Sequence, residues 1–215
     1  MSEVITFLNE YCDFSDPNWV WMLKGVSRNK DNDAGVKFFR RMVLTKPDDF
    51  EECRESMINQ FTDPFTTYRL YVSLNARDVI KGTFNFQKKL IDIGMGLANG
   101  QKDQLAMCKK LNSIWKTELE QRTNRGTKRF LLDIDNEYSD KNVLEVVAYL
   151  TEEVKTKNKE PLNVHCMRKT VSGYAIVFDA CDTRGVMNLC NELKIESDLH
   201  RDSMVFLETW IGGKH

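Results

Sequence analysis

The sequence predicts a mixed α/β (α+β) protein, with an N-terminal αβ unit joined to a C-terminal sheet that carries two helices. Three observations support that prediction. Apolar runs of strand character alternate with stretches of helical periodicity. Glycine and proline are sparse, 11 and 4 of 215 residues, and no low-complexity linker divides the chain. From about residue 129 onward the elements fall in the order β-α-β-β-α-β. A chain of this length buries one large core or two small ones. The expectation is therefore one compact, two-lobed domain, with units over 1–125 and 126–215.

In chain order, Val36–Leu44 reads as a strand. Pro47 opens a helix at its first turn, where Asp48, Asp49, Glu51 and Glu52 sit near the positive end, and the helix runs to about Phe61. Tyr68–Leu74 alternates and is rich in aromatic and branched residues, so it reads as a strand. Helices follow at about 78–95 and 103–120, the first interrupted by Gly94 and Gly96. The N-terminal unit thus reads β-α-β-α plus a helix. Trp19 and Trp21 alternate in a short apolar run that reads as core or as an interaction surface.

The polar, basic stretch Asn124–Arg129 is the internal boundary. Beyond it lie a strand at Phe130–Asp135 and an amphipathic helix at about 140–157, marked by Val143, Val146, Val147, Leu150 and Val154. Leu162–Lys169 and Tyr174–Phe178 are strands joined by a turn at Val171–Gly173. A helix at 183–193 leads to a last strand, Met204–Trp210. This order is that of the ferredoxin-like split unit and of RNA-recognition folds.

Composition excludes several function classes. Net charge is -1, so no global basic field advertises nucleic acid, and any contact must come from a local patch. The six cysteines are scattered without a C-x-x-C pair, which argues against a zinc site or a disulfide framework and for free thiols in a reducing cytoplasm. No apolar run reaches the roughly 20 residues of a membrane span, and the first residues lack a signal peptide's pattern. No P-loop and no Gly-x-Ser-x-Gly elbow occur.

The chemistry-bearing feature is the run Arg129-Phe-Leu-Leu-Asp-Ile-Asp135. A strand sets residues i and i+2 on one face, so Asp133 and Asp135 emerge together while Ile134 points into the core. Two such acids are either solvated residues of a strand-to-loop junction or partners of a cation. Just before the last strand, Asp198 supplies a third carboxylate. Three carboxylates suit Mg²⁺ or Mn²⁺, hard cations that take oxygen ligands and substrate phosphates. Arg168 and Lys169, leading into the turn, are candidate phosphate contacts.

On these residues the chain resembles the catalytic core of archaeo-eukaryotic primases and their primase-polymerase relatives. Leu-Leu-Asp133-Ile-Asp135 matches the family's Asp-x-Asp after a hydrophobic strand, Ser172-Gly-Tyr-Ala175 occupies the place of its small-x-His, and Ser-Asp198-Leu-His fits its later Asp. It is also similar to uncharacterised phage and mobile-element proteins carrying Val-Asn-x-Arg, Asp-Ile-Asp and Thr-x-x-Gly-Tyr-His. Here those motifs read Leu74-Asn75-Ala76-Arg77, Asp133-Ile134-Asp135 and Thr170-Val-Ser-Gly-Tyr-Ala175. The resemblance implies a primase-like fold, with Asp133, Asp135 and Asp198 as catalytic and metal-binding residues. It further implies that Arg168, Lys169, Ser172, His200 and Arg201 bind nucleotide phosphates. Where relatives place histidine this chain has Ala175, which removes a charge-assisted donor.

Two functions follow from the resemblance. One is metal-dependent nucleotidyl or phosphoryl transfer on nucleotides or nucleic acid in the cytoplasm, the host's if the chain is phage-encoded. The other is a catalytically inactive binding module, either a nucleic-acid-binding subunit or a protein that binds a host or phage enzyme. Arg69 and Arg77, flanked by Tyr68 and Tyr71, read either as a packed strand or as a surface that holds single-stranded nucleic acid. The pairs Arg40-Arg41 and Lys88-Lys89 read as solvated surface or as nucleic-acid contacts. Cys166 and Cys181 have no basic neighbour that the sequence forces, and His165 lies on the strand adjacent to position 175.

Overall fold

Two antiparallel sheets organise the computed structural model, which describes residues 3–27, 39–61, 66–135 and 140–211. The elements run α1 (Glu3–Tyr11), β1 (Trp19–Ser27), β2 (Phe39–Leu44), α2 (Asp49–Ile58), β3 (Thr67–Ser73) and β4 (Arg77–Asp78). There follow α3 (Val79–Ala98), α4 (Gln104–Cys108), α5 (Leu111–Leu119), β5 (Arg129–Asp135), α6 (Asp140–Glu152) and β6 (Val164–Lys169). The chain continues through β7 (Gly173–Asp179), α7 (Arg184–Glu192), β8 (Ser197–His200) and β9 (Met204–Ile211).

The first sheet has the order β2-β1-β3-β9, with β4 pairing β1. Its central strand β1 contains the two tryptophans and is buried along most of its length. A strand buried on both faces shows no polar alternation, which is why only its apolar character, and not its type, is legible. The expected N-terminal order therefore lacks α1 and β1. Residues 36–38 of the expected strand lie outside the described residues, and β2 begins at Phe39. Helix α3 runs through Gly94 and Gly96 without a break. A Cβ at Gly82 would stand 2.5 Å from the Cδ2 of Leu119, so this glycine allows α3 and α5 to pack closely. The helix expected over 103–120 is divided into α4 and α5.

The second sheet has the order β6-β7-β5-β8, the ferredoxin-like order with β5 and β7 in the centre. Its fourth strand is Ser197–His200, not the expected Met204–Trp210. That later segment crosses to the first sheet and pairs with β3 from Thr67↔Ile211 to Ser73↔Met204. Val205 and Leu207 on it are buried in the first core, and the pairing covers what would otherwise be an open edge of β3. The expected boundary at 126 thus marks where the second sheet starts, but the chain returns to the first sheet before it ends.

Alternation along β5 separates two cores. Leu132 and Ile134, with Ile176 and Phe178 of β7, pack under Val143, Val146 and Leu150 of α6 and Val186 and Cys190 of α7. Leu131, with Ala175 and Val177, faces the other way into Trp21, Leu23, Leu70, Val72, Leu207 and the α1 residues Leu8 and Tyr11. Full burial of each such aliphatic side chain is favourable by about 1.5–3 kcal/mol. Asp133 and Asp135 belong to the Leu131 face.

Candidate functional site

Strand register sets the geometry of the acidic residues. Asp133 lies opposite Ala175 on one side and opposite Asp198 on the other, and Arg168 lies opposite Ala175 in turn. In-register partners share a face, so Arg168, Ala175, Asp133 and Asp198 form one row across four strands. Asp135 follows two residues on, and its backbone N–H donates to the Glu196 carbonyl at 3.1 Å. The three carboxylates singled out in the sequence therefore fall on one side of one sheet. Asp133 is half-buried, while Asp135 and Asp198 are exposed.

The remaining members of the expected site are placed differently. Ala175 is 3% exposed and belongs to the first core, so no open surface lies over it. The guanidinium of Arg168 stacks 4.2 Å from the Phe7 ring centroid, and its Nη2 donates to the Leu207 carbonyl at 3.2 Å. That side chain ties α1 and β9 to β6. Lys169 pairs with Tyr174, which packs against the helix-side core, so it stands on the face opposite the carboxylates. Ser172 lies in the β6–β7 turn, where its backbone N–H donates to the Thr170 Oγ1 at 3.4 Å. The next residue must be glycine, because a Cβ at Gly173 would stand 1.8 Å from the Ile134 carbonyl oxygen. His200 pairs with Leu131 and is half-buried. Arg201 is exposed and its guanidinium lies 5.8 Å from the Phe130 ring, on the helix side. His165 bonds Asp179 at 2.8 Å instead of turning to the row. Its pKa is lowered, chiefly by burial with the Arg129 guanidinium adding, against the raising effect of Asp179.

Among the described residues, no group of three or more His, Cys, Asp or Glu is arranged to hold a metal ion. Cys166 and Cys181 are both pushed up to about 11, chiefly by burial, which leaves them thiols rather than nucleophilic thiolates.

Arg69 and Arg77, which the sequence reads either as packed or as facing nucleic acid, are both buried. Arg69 is 6% exposed on the central strand β3. Arg77 is 4% exposed and forks the Asp202 carboxylate, with Nη2 to Oδ1 at 2.8 Å and Nη1 to Oδ2 at 3.1 Å. Neighbouring Asn75 is fully buried and replaces a strand neighbour for β5. Its Oδ1 accepts from the Arg129 backbone N–H at 2.7 Å, and its Nδ2 donates to the Arg129 carbonyl at 3.3 Å. The Leu74-Asn75-Ala76-Arg77 motif is thus a polar joint between the lobes. Arg129, which the sequence left without a role, completes that joint. Its Nη1 donates to the Tyr11 carbonyl at 2.9 Å, and its guanidinium lies 4.8 and 5.3 Å from the Tyr11 and Trp21 rings.

Compared with protein-family models, curated proteins and solved structures, the chain finds no match in any of the three. Among the described residues, no helix is long and apolar enough to cross a membrane.

Proposed function

We propose that this chain is a catalytically inactive, primase-like nucleic-acid-binding module of the cytoplasm, the host's if the chain is phage-encoded. The observation that carries the reading is the row Arg168–Ala175–Asp133–Asp198, in which the position where the resembled family has histidine is a buried alanine. A nucleotide phosphate lying there would need the space now filled by the first core, and the adjacent arginine is already spent on Phe7 and Leu207. Free thiols at all six cysteines are compatible with a reducing compartment. The competing reading, metal-dependent nucleotidyl transfer, draws its support from the alignment of Asp133 with Asp198 and the nearness of Asp135.

The two readings separate on metal and nucleotide. A ligand bound only by the folded state raises Tm by mass action. The binding-module reading expects Tm to be indifferent to millimolar Mn²⁺, with or without a nucleoside triphosphate. A rise that Asp133→Asn with Asp198→Asn abolishes would instead establish a carboxylate metal site and overturn it. Ala175→His provides a second arm. In a buried position the larger ring overpacks the core, with an expected cost of about 1–3 kcal/mol and no gain in nucleotide binding.

A further inference from the structure

A concentration of positive charge lies away from the carboxylate row, on the opposite face of the first sheet. There a cleft of about 390 Å³ opens between edge strand β2 and the α4–α5 junction, lined by Phe39, Arg40, Arg41, Lys109, Lys110 and Lys116, with Asn112 and Ser113 of α5. Five of these residues are cations and none is an acid. Glu120 stands behind them and is shared by Lys24 and Arg41, each at 2.7 Å, so one carboxylate answers two cations. The Lys116 ammonium donates to the Arg41 carbonyl at 2.8 Å. Its pKa is lowered, chiefly by burial and then by the Arg41 guanidinium. With a net charge of -1 over the whole chain, this excess is a local feature.

Two further features give the cleft a preference beyond charge. Phe39 is 48% exposed at its rim, with the Arg41 guanidinium 5.5 Å and the Lys24 ammonium 6.0 Å from its ring centroid. A large ring braced by cations yet half open to solvent is a platform on which a base can stack. Helix α5 enters the cleft by its N-terminus, with no acid in its first turn and no side-chain cap. Its first backbone N–H groups and its positive end favour a phosphate there.

Resting on the binding-module reading, we propose that this cleft holds single-stranded nucleic acid. Its phosphates lie along Lys109, Lys110 and the first turn of α5, and one base stacks on Phe39. A duplex keeps its bases stacked on one another and offers Phe39 nothing.

The test is fluorescence anisotropy with labelled single-stranded DNA and RNA of about 12 nucleotides, within the span such grooves cover. Each measurement is repeated with the matching duplex and with inorganic polyphosphate, over a range of salt. Lys109→Glu with Lys110→Glu should weaken single-strand binding at least 30-fold. It should also flatten the salt dependence by about 1.4 in log–log slope, some 0.7 for each lost phosphate contact. The same double change places acids at the start of α5, so Tm should hold or rise. Phe39→Ala should cost single strands roughly tenfold and leave polyphosphate binding unchanged. Full binding by the double variant would overturn the cleft while leaving the nucleic-acid reading standing. No binding of any nucleic acid by the wild-type chain would overturn both. Equal affinity for single strand, duplex and polyphosphate, or indifference to Phe39→Ala, would reduce the cleft to a nonspecific anion surface and overturn the single-strand assignment.

Discussion

The joint between the lobes and the cleft beside β2 are both rich in arginine or lysine, yet they use that charge in opposite ways. At the joint, Arg77 forks Asp202, Arg129 lies against Tyr11 and Trp21, and Arg168 reaches across to Phe7 and Leu207. Their donors are directed inward, and each holds two or more elements together. At the cleft, Lys109 and Lys110 are exposed beside open space, while Arg41 is held by Glu120, Ser113 and Thr117, Lys116 donates to the Arg41 carbonyl, and Glu120 is shared between Arg41 and Lys24. The difference teaches that an arginine beside a tyrosine in sequence says little about ligands. What decides its role is whether the fold supplies carbonyls, rings and carboxylates enough to occupy it.

The comparison breaks most sharply at Arg77. Asp202→Ala leaves a guanidinium that is 4% exposed without its carboxylate, and stability should fall by about 3 kcal/mol, read from the urea midpoint. Asn75→Ala should follow at about 2 kcal/mol, because it strands the backbone N–H and carbonyl of Arg129 in the interior. Lys109→Ala in the cleft should move stability by no more than about 0.5 kcal/mol, since that side chain is exposed. Equal effects at Asp202 and Lys109 would erase the distinction between the two regions. Asp198→Asn sharpens it from the acidic side. Like charges directly opposite on neighbouring strands repel, so this change should stabilise the metal-free protein by about 0.2–1 kcal/mol.

The sequence exposes some of this and conceals the rest for identifiable reasons. The alternation in Phe130–Asp135 and Tyr174–Phe178 places Asp133 and Ala175 on one face, and the register then sets them opposite each other. The order of elements yields the ferredoxin-like sheet, because helical and strand periods change cleanly there. The identity of its fourth strand is hidden: Ser197–His200 has only four residues, while Met204–Ile211 has the stronger strand pattern but serves the other sheet. Pairing partners depend on tertiary contacts that local pattern does not carry. The joint residues Asn75 and Arg129 stand 54 positions apart, so their bonding is invisible in either segment alone. Arg40 and Arg41 are visible as a basic pair, but their company, Lys109 and Lys110, arrives only when α4 and α5 fold back beside β2.

The smallest expected effect concerns His165, a case between the joint and the cleft, since its ring is partly buried and has a single acidic partner. Its Nε2 lies 2.8 Å from Asp179, which favours the charged ring, but burial opposes charge more strongly and nearby Arg129 adds to that opposition. The folded-state pKa therefore lies below the ordinary value of 6.5. As pH falls through the unfolded value, the unfolded chain takes up a proton that the folded chain still refuses. Stability must therefore decline on acidification through that window and level off only once the folded ring is also protonated. His165→Gln keeps a polar partner for Asp179 without a titrating group, so its unfolding free energy should decline less than the wild-type's between pH 7.5 and 5.5. Urea midpoints measured at both pH values decide the matter. A wild-type protein that gains stability relative to the variant on acidification would mean that Asp179, not burial, controls this histidine.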